Sequence, residues 1–425
     1  MADKTVKIGL LGCGTVGRGL VELIGKNRAL IRERSGVDLK ISKVLVRDLK
    51  KDRPGVDKGL LTLNPDDVLK NGCDLIVELI GGINPAKQFI SEAIESKKSV
   101  VTANKALLAL TGTDLFRAAA AHGVRLGFEA SVCGGIPIIR ALQSGLVGNH
   151  IGELTGILNG TCNYILTQMT EQGWSFERAL KEAQAKGFAE ADPTLDIDGH
   201  DAAQKIEILA ELAFGVKVAA GAVNVEGIRQ LSDEDIRSAK ELGFVIKHIA
   251  IAKDLGATLD VRVHPALLPT YHPLATVRHE NNAVLVKGDA VGEMLFYGKG
   301  AGAAPTASAV LSDIIDISVN DRHIHFPESP DKPVSADPRS KYYLRFPILD
   351  VPGVIGLIAT ALGNRGISIS HAAATLVKDK PGAGNVKILA HSCPESALKR
   401  SIEEISRLPV LNGKPVVLRI LEENS

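Results

Sequence analysis

Two oppositely charged residues, Asp201 and Lys205, stand four positions apart at the start of a predicted helix. Ile208, Leu209 and Leu212 form its apolar stripe, and stepping back along that stripe leads to Lys205 and then to Asp201. A buried lysine is costly unless an opposite charge pairs with it, but a paired one can stay protonated near neutral pH and donate a proton. The pair is therefore either a structural bridge or part of a functional site.

An acidic loop precedes this pair. Its carboxylates are Glu190, Asp192, Asp196 and Asp198, and it must fold back near the same helix end. Asp198 is the predicted N-cap of the helix and Gly215 its stop signal. The alternative to a functional site is that Asp198 and Asp201 only cap the helix, while the other carboxylates lie in a solvated loop. These residues alone do not decide between the two interpretations. A calcium loop is excluded, because Lys205 would stand where the bidentate glutamate belongs.

The composition is that of a globular protein with two or three domains. The chain has 425 residues, of which 45% are hydrophobic and 23% charged. A net charge of +1 argues against a nucleic-acid or membrane partner and favours small molecules. No signal-peptide pattern and no apolar run of membrane-spanning length is present. Five scattered cysteines without CxxC spacing indicate reduced thiols in a cytoplasmic protein.

A glycine-rich turn follows the first predicted strand, residues 6–11, and opens a helical stretch. The turn consists of Gly12, Cys13, Gly14, Thr15, Val16 and Gly17. This GxGxxG pattern in that context predicts a dinucleotide site, where backbone N–H groups and a helix N-terminus meet a pyrophosphate. Arg47 follows the second strand with Lys50 and Lys51, which suits the 2′-phosphate of NADP. Asp48 keeps NAD possible.

Alternating strands and helices predict an α/β protein with a Rossmann-type doubly wound parallel sheet in residues 1–148. Lys105 follows a strand at the edge where such sheets bind ligands, so it is a candidate site residue. Glu129 opens a glycine-rich bend whose oxygen atoms could coordinate a hard cation. Another glycine turn, which contains Gly302, precedes a predicted helix over residues 307–319. We expect residues 300–320 to return to the first domain, with this turn close to the cofactor.

The remaining chain divides into three predicted parts. Residues 149–299 alternate helices with short strands and predict an α+β domain. Residues 321–340 are rich in Pro, Asp and Ser and are predicted to be a linker. Residues 341–425 show a βαββαβ pattern, which predicts a ferredoxin-like unit.

The stretch from Ala183 to Lys205 resembles the signature of the homoserine dehydrogenase family. The residues that carry the match are Gly187, Asp192, Pro193, Asp196, Gly199, Asp201 and Lys205, with support from residues 12–17, 102–105, 129–137, 159–161 and 305–306. Residues 350–354 and 364–367 resemble an ACT domain, a module that commonly binds an amino-acid effector. The chain is thus similar to a monofunctional family member with a C-terminal ACT domain.

The resemblance implies a reaction and roles for individual residues. The reaction is the reversible NAD(P)H-dependent reduction of L-aspartate 4-semialdehyde to L-homoserine, on the route to threonine, methionine and isoleucine. The implied roles are proton donation by Lys205, substrate-ammonium binding by Glu190, orientation by Asp196 and Asp201, and substrate contacts by Gly160, Thr161 and Lys105, the last also near the nicotinamide. The family's Na⁺ site corresponds to oxygen atoms of Glu129, Val132, Gly134 and Ile136.

Threonine is the expected effector because it is a product of the pathway. The ACT-like module and the extra sheet in the middle domain favour a homodimer or homotetramer. One departure is Phe188, where some members carry tyrosine. Two alternatives remain. The first is a semialdehyde dehydrogenase that works through a cysteine thioester, for which Cys133 and Cys162 are the candidates. The second is a non-enzymatic sensor of nucleotides and amino acids, which would have no need of a proton donor.

Overall fold

A computed structural model describes residues 4–219, 221–320, 330–377 and 380–421. Residues 321–329 of the predicted linker lie outside the described residues. Two large β-sheets and the helices packed on them organise the chain. Within the described part, no helix combines the length and apolar character needed to cross a membrane.

The first sheet has six parallel strands in the order β3-β2-β1-β4-β5-β6. Its strands are β1 (Lys4–Leu11), β2 (Val37–Leu45), β3 (Leu61–Thr62), β4 (Leu75–Glu78), β5 (Ser99–Thr102) and β6 (Leu126–Gly127), and its helices are α1 (Thr15–Ser35), α2 (Asp66–Leu69), α3 (Ala86–Glu95) and α4 (Lys105–Ala121). Ile8 and Leu10 pack on one face of β1 and Leu11 on the other, as expected for a sheet covered on both sides. The predicted Rossmann-type sheet is confirmed.

The second sheet begins in the middle of the chain. Its part of the chain contains α5 (Ile138–Arg140), β7 (Ile151–Ile157), α6 (Gly160–Gln172), α7 (Phe176–Ala185), α8 (Thr194–Ile197), α9 (His200–Phe214), β8 (Lys217–Val218), β9 (Asn224–Val225), α10 (Asp233–Glu241), β10 (Phe244–Asp254), β11 (Leu259–Pro269), β12 (Asn281–Gly288), β13 (Gly292–Lys299) and α11 (Ala303–Val319). Strand β13 was not predicted. It is an edge strand on which the apolar Leu295 and Tyr297 are exposed. Its sequence therefore lacks a clear alternation of buried apolar and exposed polar residues.

Helix α11 begins at Ala303, and the predicted start at residue 307 was wrong. Gly302 forms the N-cap with φ 116°, and Pro305 fits in the first turn because its missing N–H needs no partner there. Ala307, Val310 and Ile314 share a core with α1 and β1 of the first sheet.

The C-terminal elements are β14 (Asp331–Lys332), β15 (Arg339–Leu349), α12 (Val354–Gly363), β16 (Ile369–Leu376), β17 (Ala383–Pro394), α13 (Glu395–Ile405) and β18 (Val416–Ile420). From β15 onward their succession is βαββαβ, with strand order β18-β15-β17-β16. Strand β18 pairs in parallel with β11, so the C-terminal unit extends the second sheet instead of forming one of its own. The domain boundaries at residues 148, 299 and 340 stay a prediction.

Candidate active site

Helix α9 carries the charged pair, but it does not begin as predicted. Its N-cap is Gly199 in a left-handed conformation with φ 90°, and its end at Gly215 agrees with the prediction. The prediction of Asp198 as N-cap was wrong, because the Asp198 carboxylate instead accepts hydrogen bonds from Arg229. A Cβ at position 199 would lie 2.9 Å from Val225, so glycine is required there.

Asp201 lies between two lysines. The Lys205 Nζ is 2.7 Å from Oδ2 of Asp201 and also donates to the backbone oxygen of Leu158 at 2.7 Å. The Lys105 Nζ is 3.3 Å from the other carboxylate oxygen. Lys205 and Asp201 are buried, with side chains 11% and 7% exposed, whereas the side chain of Lys105 is 32% exposed. The structure therefore brings both predicted lysines to one carboxylate.

The charges stabilise one another. Burial acts to raise the pKa of Asp201, but Lys205 and Lys105 outweigh it and hold that pKa below its usual value. Burial likewise acts to lower the pKa of Lys205, but Asp201, together with Cys133 and Asp196, outweighs burial, so that pKa is raised. Both directions are those of an ion pair, and Lys205 is protonated at neutral pH.

Lys105 is held at the first turn of α4 by a network behind it. The buried Glu78 carboxylate accepts hydrogen bonds from the N–H groups of Ile80 and Gly81 and, at 2.7 Å, from the Thr102 hydroxyl. Asn104 caps α4 through the N–H of Leu107. These contacts fix the carboxyl edge of the parallel sheet at the point where the chain passes from β5 to Lys105.

Asn159 links the acidic loop to the ion pair. Its Nδ2 donates to Asp196 at 2.7 Å and to Asp201 at 2.8 Å. Thr161 Oγ1 lies 3.3 Å from Asp196 and donates to the backbone oxygen of Phe188 at 2.6 Å. Burial raises the pKa of Asp196, and the Asn159 hydrogen bond opposes that rise. Asn159 was not among the predicted site residues, although it stands beside Gly160 at the N-cap of α6.

Glu190 and Asp192 lie on the exposed side of the acidic loop. Glu190 is exposed, and its backbone oxygen accepts a hydrogen bond from Gln184. Asp192 is exposed and accepts from the N–H of Thr194. Gly160 lies at the helix start beside the cluster, where a Cβ would be 2.6 Å from the Glu280 oxygen. The predicted substrate role of Glu190 stays a prediction.

The first glycine turn leaves a helix N-terminus open. Gly12 has φ 93°, and a Cβ there would lie 2.8 Å from the Leu79 oxygen, while a Cβ on Gly17 would lie 2.6 Å from the Gly12 oxygen. Gly14 is the N-cap of α1, and no side chain caps the helix. A Cβ on Gly14 would meet nothing within 4 Å, so the turn has open space on that side at the start of α1.

The other predicted cofactor residues surround this turn or follow β2. Cys13 is buried within it, and Thr15 and Val16 begin α1. Arg47 follows the carboxyl end of β2 and is exposed, as are Lys50 and Lys51.

The predicted cation site is a buried bend with an acid at its start. Glu129 is 3% exposed, and its carboxylate accepts from the N–H groups of Ile139 and Arg140. Burial and the neighbouring Asp313 raise the pKa of Glu129 to about 7. Gly134 has φ 47°, and the buried Val132 and Ile136 flank it. Within the described ranges, no group of three or more His, Cys, Asp or Glu side chains is placed to hold a metal, so a cation here would depend on backbone oxygens.

The two candidate nucleophilic cysteines lack the environment of a reactive thiolate. Cys133 and Cys162 are buried free thiols. Burial raises the pKa of Cys133 to about 11 and that of Cys162 well above its normal value. A thioester mechanism needs a thiolate, so both residues argue against the cysteine-dependent alternative.

Comparison with known proteins identifies the family. The family profile described as "Homoserine dehydrogenase" matches residues 137–315, and that described as "Homoserine dehydrogenase, NAD binding domain" matches residues 12–129. A homoserine dehydrogenase of Synechocystis sp. is 42% identical, over 98% of this chain and 100% of its own.

Solved structures agree. The crystal structure of a homoserine dehydrogenase from Thiobacillus denitrificans is 41% identical, covers 99% of both chains and superposes with a TM-score of 0.92. A hyperthermophilic archaeal homoserine dehydrogenase in complex with NADPH is 26% identical, covers 76% of this chain and 100% of its own, and gives a TM-score of 0.64. The chain therefore belongs to the homoserine dehydrogenase family and is an NAD(P)-dependent oxidoreductase that acts on CH–OH groups.

Proposed function

We infer that the enzyme interconverts L-aspartate 4-semialdehyde and L-homoserine with NADPH, in the biosynthesis of threonine, methionine and isoleucine. The observation that carries this proposal is the buried Lys205–Asp201 pair, with Lys105 on the same carboxylate at the ligand edge of the parallel sheet. A sensor would have no use for such a donor.

Lys205 supplies the proton for the reduction. Bound NADPH supplies the hydride. Negative charge that develops on the aldehyde oxygen is neutralised by the Lys205 ammonium, which Asp201 keeps protonated. Lys105 is the more exposed of the two lysines and can contact a ligand while it balances Asp201. In the oxidative direction Lys205 accepts the proton.

The substrate contacts come from the start of α6 and from the acidic loop. Asp196 and Thr161 present polar atoms beside the ion pair, and Gly160 lies next to them at the start of α6, packed against the Glu280 backbone oxygen. The substrate's ammonium requires a carboxylate, and we assign that role to Glu190 on the exposed part of the loop.

NADP is the preferred cofactor in this proposal. The glycine turn, the uncapped first turn of α1 and Gly302 at the N-cap of α11 fit a dinucleotide. Arg47 with Lys50 and Lys51 fits the 2′-phosphate, and an archaeal relative binds NADPH.

A monovalent cation, Na⁺ by resemblance, fits the bend that Glu129 opens. Burial and the charge of Asp313 raise the pKa of Glu129 by more than Arg140 lowers it, and a bound cation would add positive charge beside this acid. Oxygen atoms of Glu129, Val132, Gly134 and Ile136 would hold it, and its role would be to stabilise the bend that leads into α5.

The C-terminal βαββαβ unit is proposed to be an ACT domain that binds threonine and inhibits the enzyme. A homodimer or homotetramer is proposed because edge strand β13 exposes Leu295 and Tyr297.

One assay tests these assignments together: NADPH oxidation with aspartate semialdehyde, repeated with NADH, with added threonine, and with choline in place of Na⁺. We expect turnover that is faster with NADPH than with NADH and is lowered both by threonine and by removal of Na⁺. The absence of turnover with either cofactor would refute the proposed reaction.

A further inference from the structure

Asn282, on β12, has no role in the scheme above. The pairing of Ala283 with Ile157 aligns β12 with β7 and puts Asn282 beside Leu158. Asn282 is 1% exposed. An amide buried this deeply loses its hydration, which is costly unless its polar atoms find hydrogen-bond partners within the protein.

The amide of Asn282 binds the same oxygen that anchors the proposed proton donor. Its Nδ2 donates to the backbone oxygen of Leu158 at 2.7 Å, and Lys205 Nζ donates to that oxygen at the same distance. Leu158 follows the last residue of β7, so no strand pairing fixes its carbonyl group. The orientation of this carbonyl group thus depends on Asn282 and Lys205 together.

Space for Asn282 comes from Gly300, because a Cβ on Gly300 would lie 2.1 Å from Cγ of Asn282. Gly160 also borders this side chain, and a Cβ there would lie at an ordinary contact distance, 3.4 Å, from Oδ1 of Asn282. That Oδ1 has no hydrogen-bond partner among the described residues. A side chain that only filled space would not need an amide with one unsatisfied oxygen.

The segment that leads into β12 is also fixed. Asn163 of α6 donates to the backbone oxygens of Val277, His279 and Asn281. Lys247 of β10 donates to the Asn163 side chain at 3.1 Å and to the Val277 oxygen. The segment before Asn282 is therefore fixed to helix α6, and this places Asn282 beside Leu158. The N-cap residue of the same helix, Asn159, contacts Asp201.

We propose that Asn282 is a positioning residue, which orients the Leu158 carbonyl so that Lys205 is held with its ammonium group toward the substrate. This inference rests on the proposed role of Lys205 as proton donor. Besides Asp201, the titratable groups around Lys205 are Asp196 and Cys133, and Lys105 shares the Asp201 carboxylate. Asn282 itself does not titrate, so any effect of its removal on the pH profile must act through these groups.

The test replaces Asn282 with leucine, which has a similar volume but no donor. We expect kcat to fall roughly 10- to 100-fold, as for a misplaced catalytic group, with the Kd for NADPH unchanged. The alkaline limb of the kcat profile should move to lower pH, because the ammonium loses an oriented acceptor. Asn281→Leu is the matched control and should behave like the wild type, since the side chain of Asn281 donates to the nearby Arg278 oxygen and to no other group that the structure describes.

A role in packing alone predicts wild-type kcat and an unmoved alkaline limb in Asn282→Leu, and that result would overturn the inference. If the leucine variant does not fold, Asn282→Asp replaces it: kcat should again fall, while the added negative charge moves the limb to higher pH. Wild-type kcat in Asn282→Asp would likewise reject the inference. If the wild type itself shows no turnover, the proposed function fails, and an NMR titration of the Lys205 ammonium in wild type and variant still tests the positioning.

Discussion

The ion pair on α9 is asymmetric in a way that suits proton donation. Lys205 is buried and hydrogen-bonded to both Asp201 and Leu158, whereas Lys105 reaches Asp201 from the more exposed side. Two ammonium groups around one carboxylate place positive charge where, in the proposed reduction, the aldehyde oxygen gains electron density. Removal of Asp201 should therefore harm the donor itself as well as its orientation.

Asp201→Asn tests this electrostatic role. Burial without its counter-charge lowers the pKa of Lys205. Because reduction needs protonated Lys205, activity is present below that pKa and lost as pH rises through it, so the alkaline limb of kcat should move to lower pH. We expect a fall of roughly 100-fold in kcat at neutral pH, measured as NADPH oxidation. Asp233→Asn, at an exposed surface pair, is the control. An unchanged alkaline limb would contradict the account.

Arg47→Ala tests the cofactor preference. A charge-assisted hydrogen bond is worth about 1.5–3 kcal/mol, so KM for NADPH should rise roughly 10-fold or more while KM for NADH changes little. Arg407→Ala, at an exposed position after α13, should change neither value. Equal effects on NADPH and NADH would rule out contact with the 2′-phosphate.

The local part of the site could be predicted, and its long-range part could not. The spacing of Asp201 and Lys205 lies within one helix, so helical periodicity alone places both on the buried face. Asn159 meets Asp201 from a residue 42 positions earlier in the chain, through the start of α6. That contact depends on tertiary packing, which periodicity does not describe. The exposed position of Glu190 depends on the loop conformation in the same way.

At the scale of elements, residues 226–229 clamp the acidic loop. The N–H of Ile228 donates to the Ile197 oxygen at 2.8 Å, and Arg229 bonds Asp198 and Thr194 on either side of α8. Gly227 permits this approach, because a Cβ there would lie 2.3 Å from the Ile197 oxygen. The clamp fixes the short helix that carries Asp196.

Gly227→Ala should open the clamp. The backbones must move apart, which we expect to cost about 1–3 kcal/mol of stability. If that free energy is lost from the positioning of the loop, KM for aspartate semialdehyde should rise roughly 10-fold, while NADPH binding stays unchanged. The control is Gly356→Ala in α12, where a Cβ meets nothing within 4 Å. Substrate KM at the wild-type value in a folded Gly227→Ala protein would show that the clamp does not position the loop.

Periodicity predicted most of the elements, and the errors include the start of α9 and the whole of strand β13. Asp198 has the residue type of an N-cap, but the left-handed Gly199 takes that position because β9 lies close to it. Strand β13 lies at the edge of the sheet, and its sequence for that reason lacks the apolar alternation by which a strand is predicted. Both errors come from tertiary surroundings that override local preference.

At the scale of the molecule, an ion-pair bridge joins the C-terminal unit to the clamp. Arg419 of β18, whose side chain is 7% exposed, lies 2.8 Å from Glu226 and 2.9 Å from Glu395 at the start of α13. Glu226 directly precedes Gly227. A change in the C-terminal unit that moves Arg419 would therefore reach the acidic loop through one contact.

Glu226→Gln should weaken the proposed regulation by threonine. The substitution removes the charge that pairs with Arg419, so threonine should inhibit several-fold less well while kcat without threonine stays near the wild-type value. Inhibition curves with threonine measure this, and Glu403→Gln, exposed on α13, is the control. A full threonine response in Glu226→Gln would exclude this bridge from the coupling.

The continuity of the second sheet could not be predicted. The βαββαβ pattern describes contacts within the C-terminal unit, but the pairing of Ala266 with Arg419 joins strands about 150 residues apart in sequence. The buried pair of Arg345 with Asp235, at 2.7 Å, joins the same two parts of the chain. Sequence patterns locate elements and leave such long-range joins open.

The most direct test of the account is single-turnover reduction of aspartate semialdehyde by Lys205→Ala. If Lys205 donates the proton, the rate should fall roughly 10²- to 10⁴-fold while the Kd for NADPH stays at the wild-type value. Lys181→Ala, exposed on α7, should match the wild type in both measurements. A near-normal rate in Lys205→Ala would contradict the central claim that this buried lysine is the proton donor.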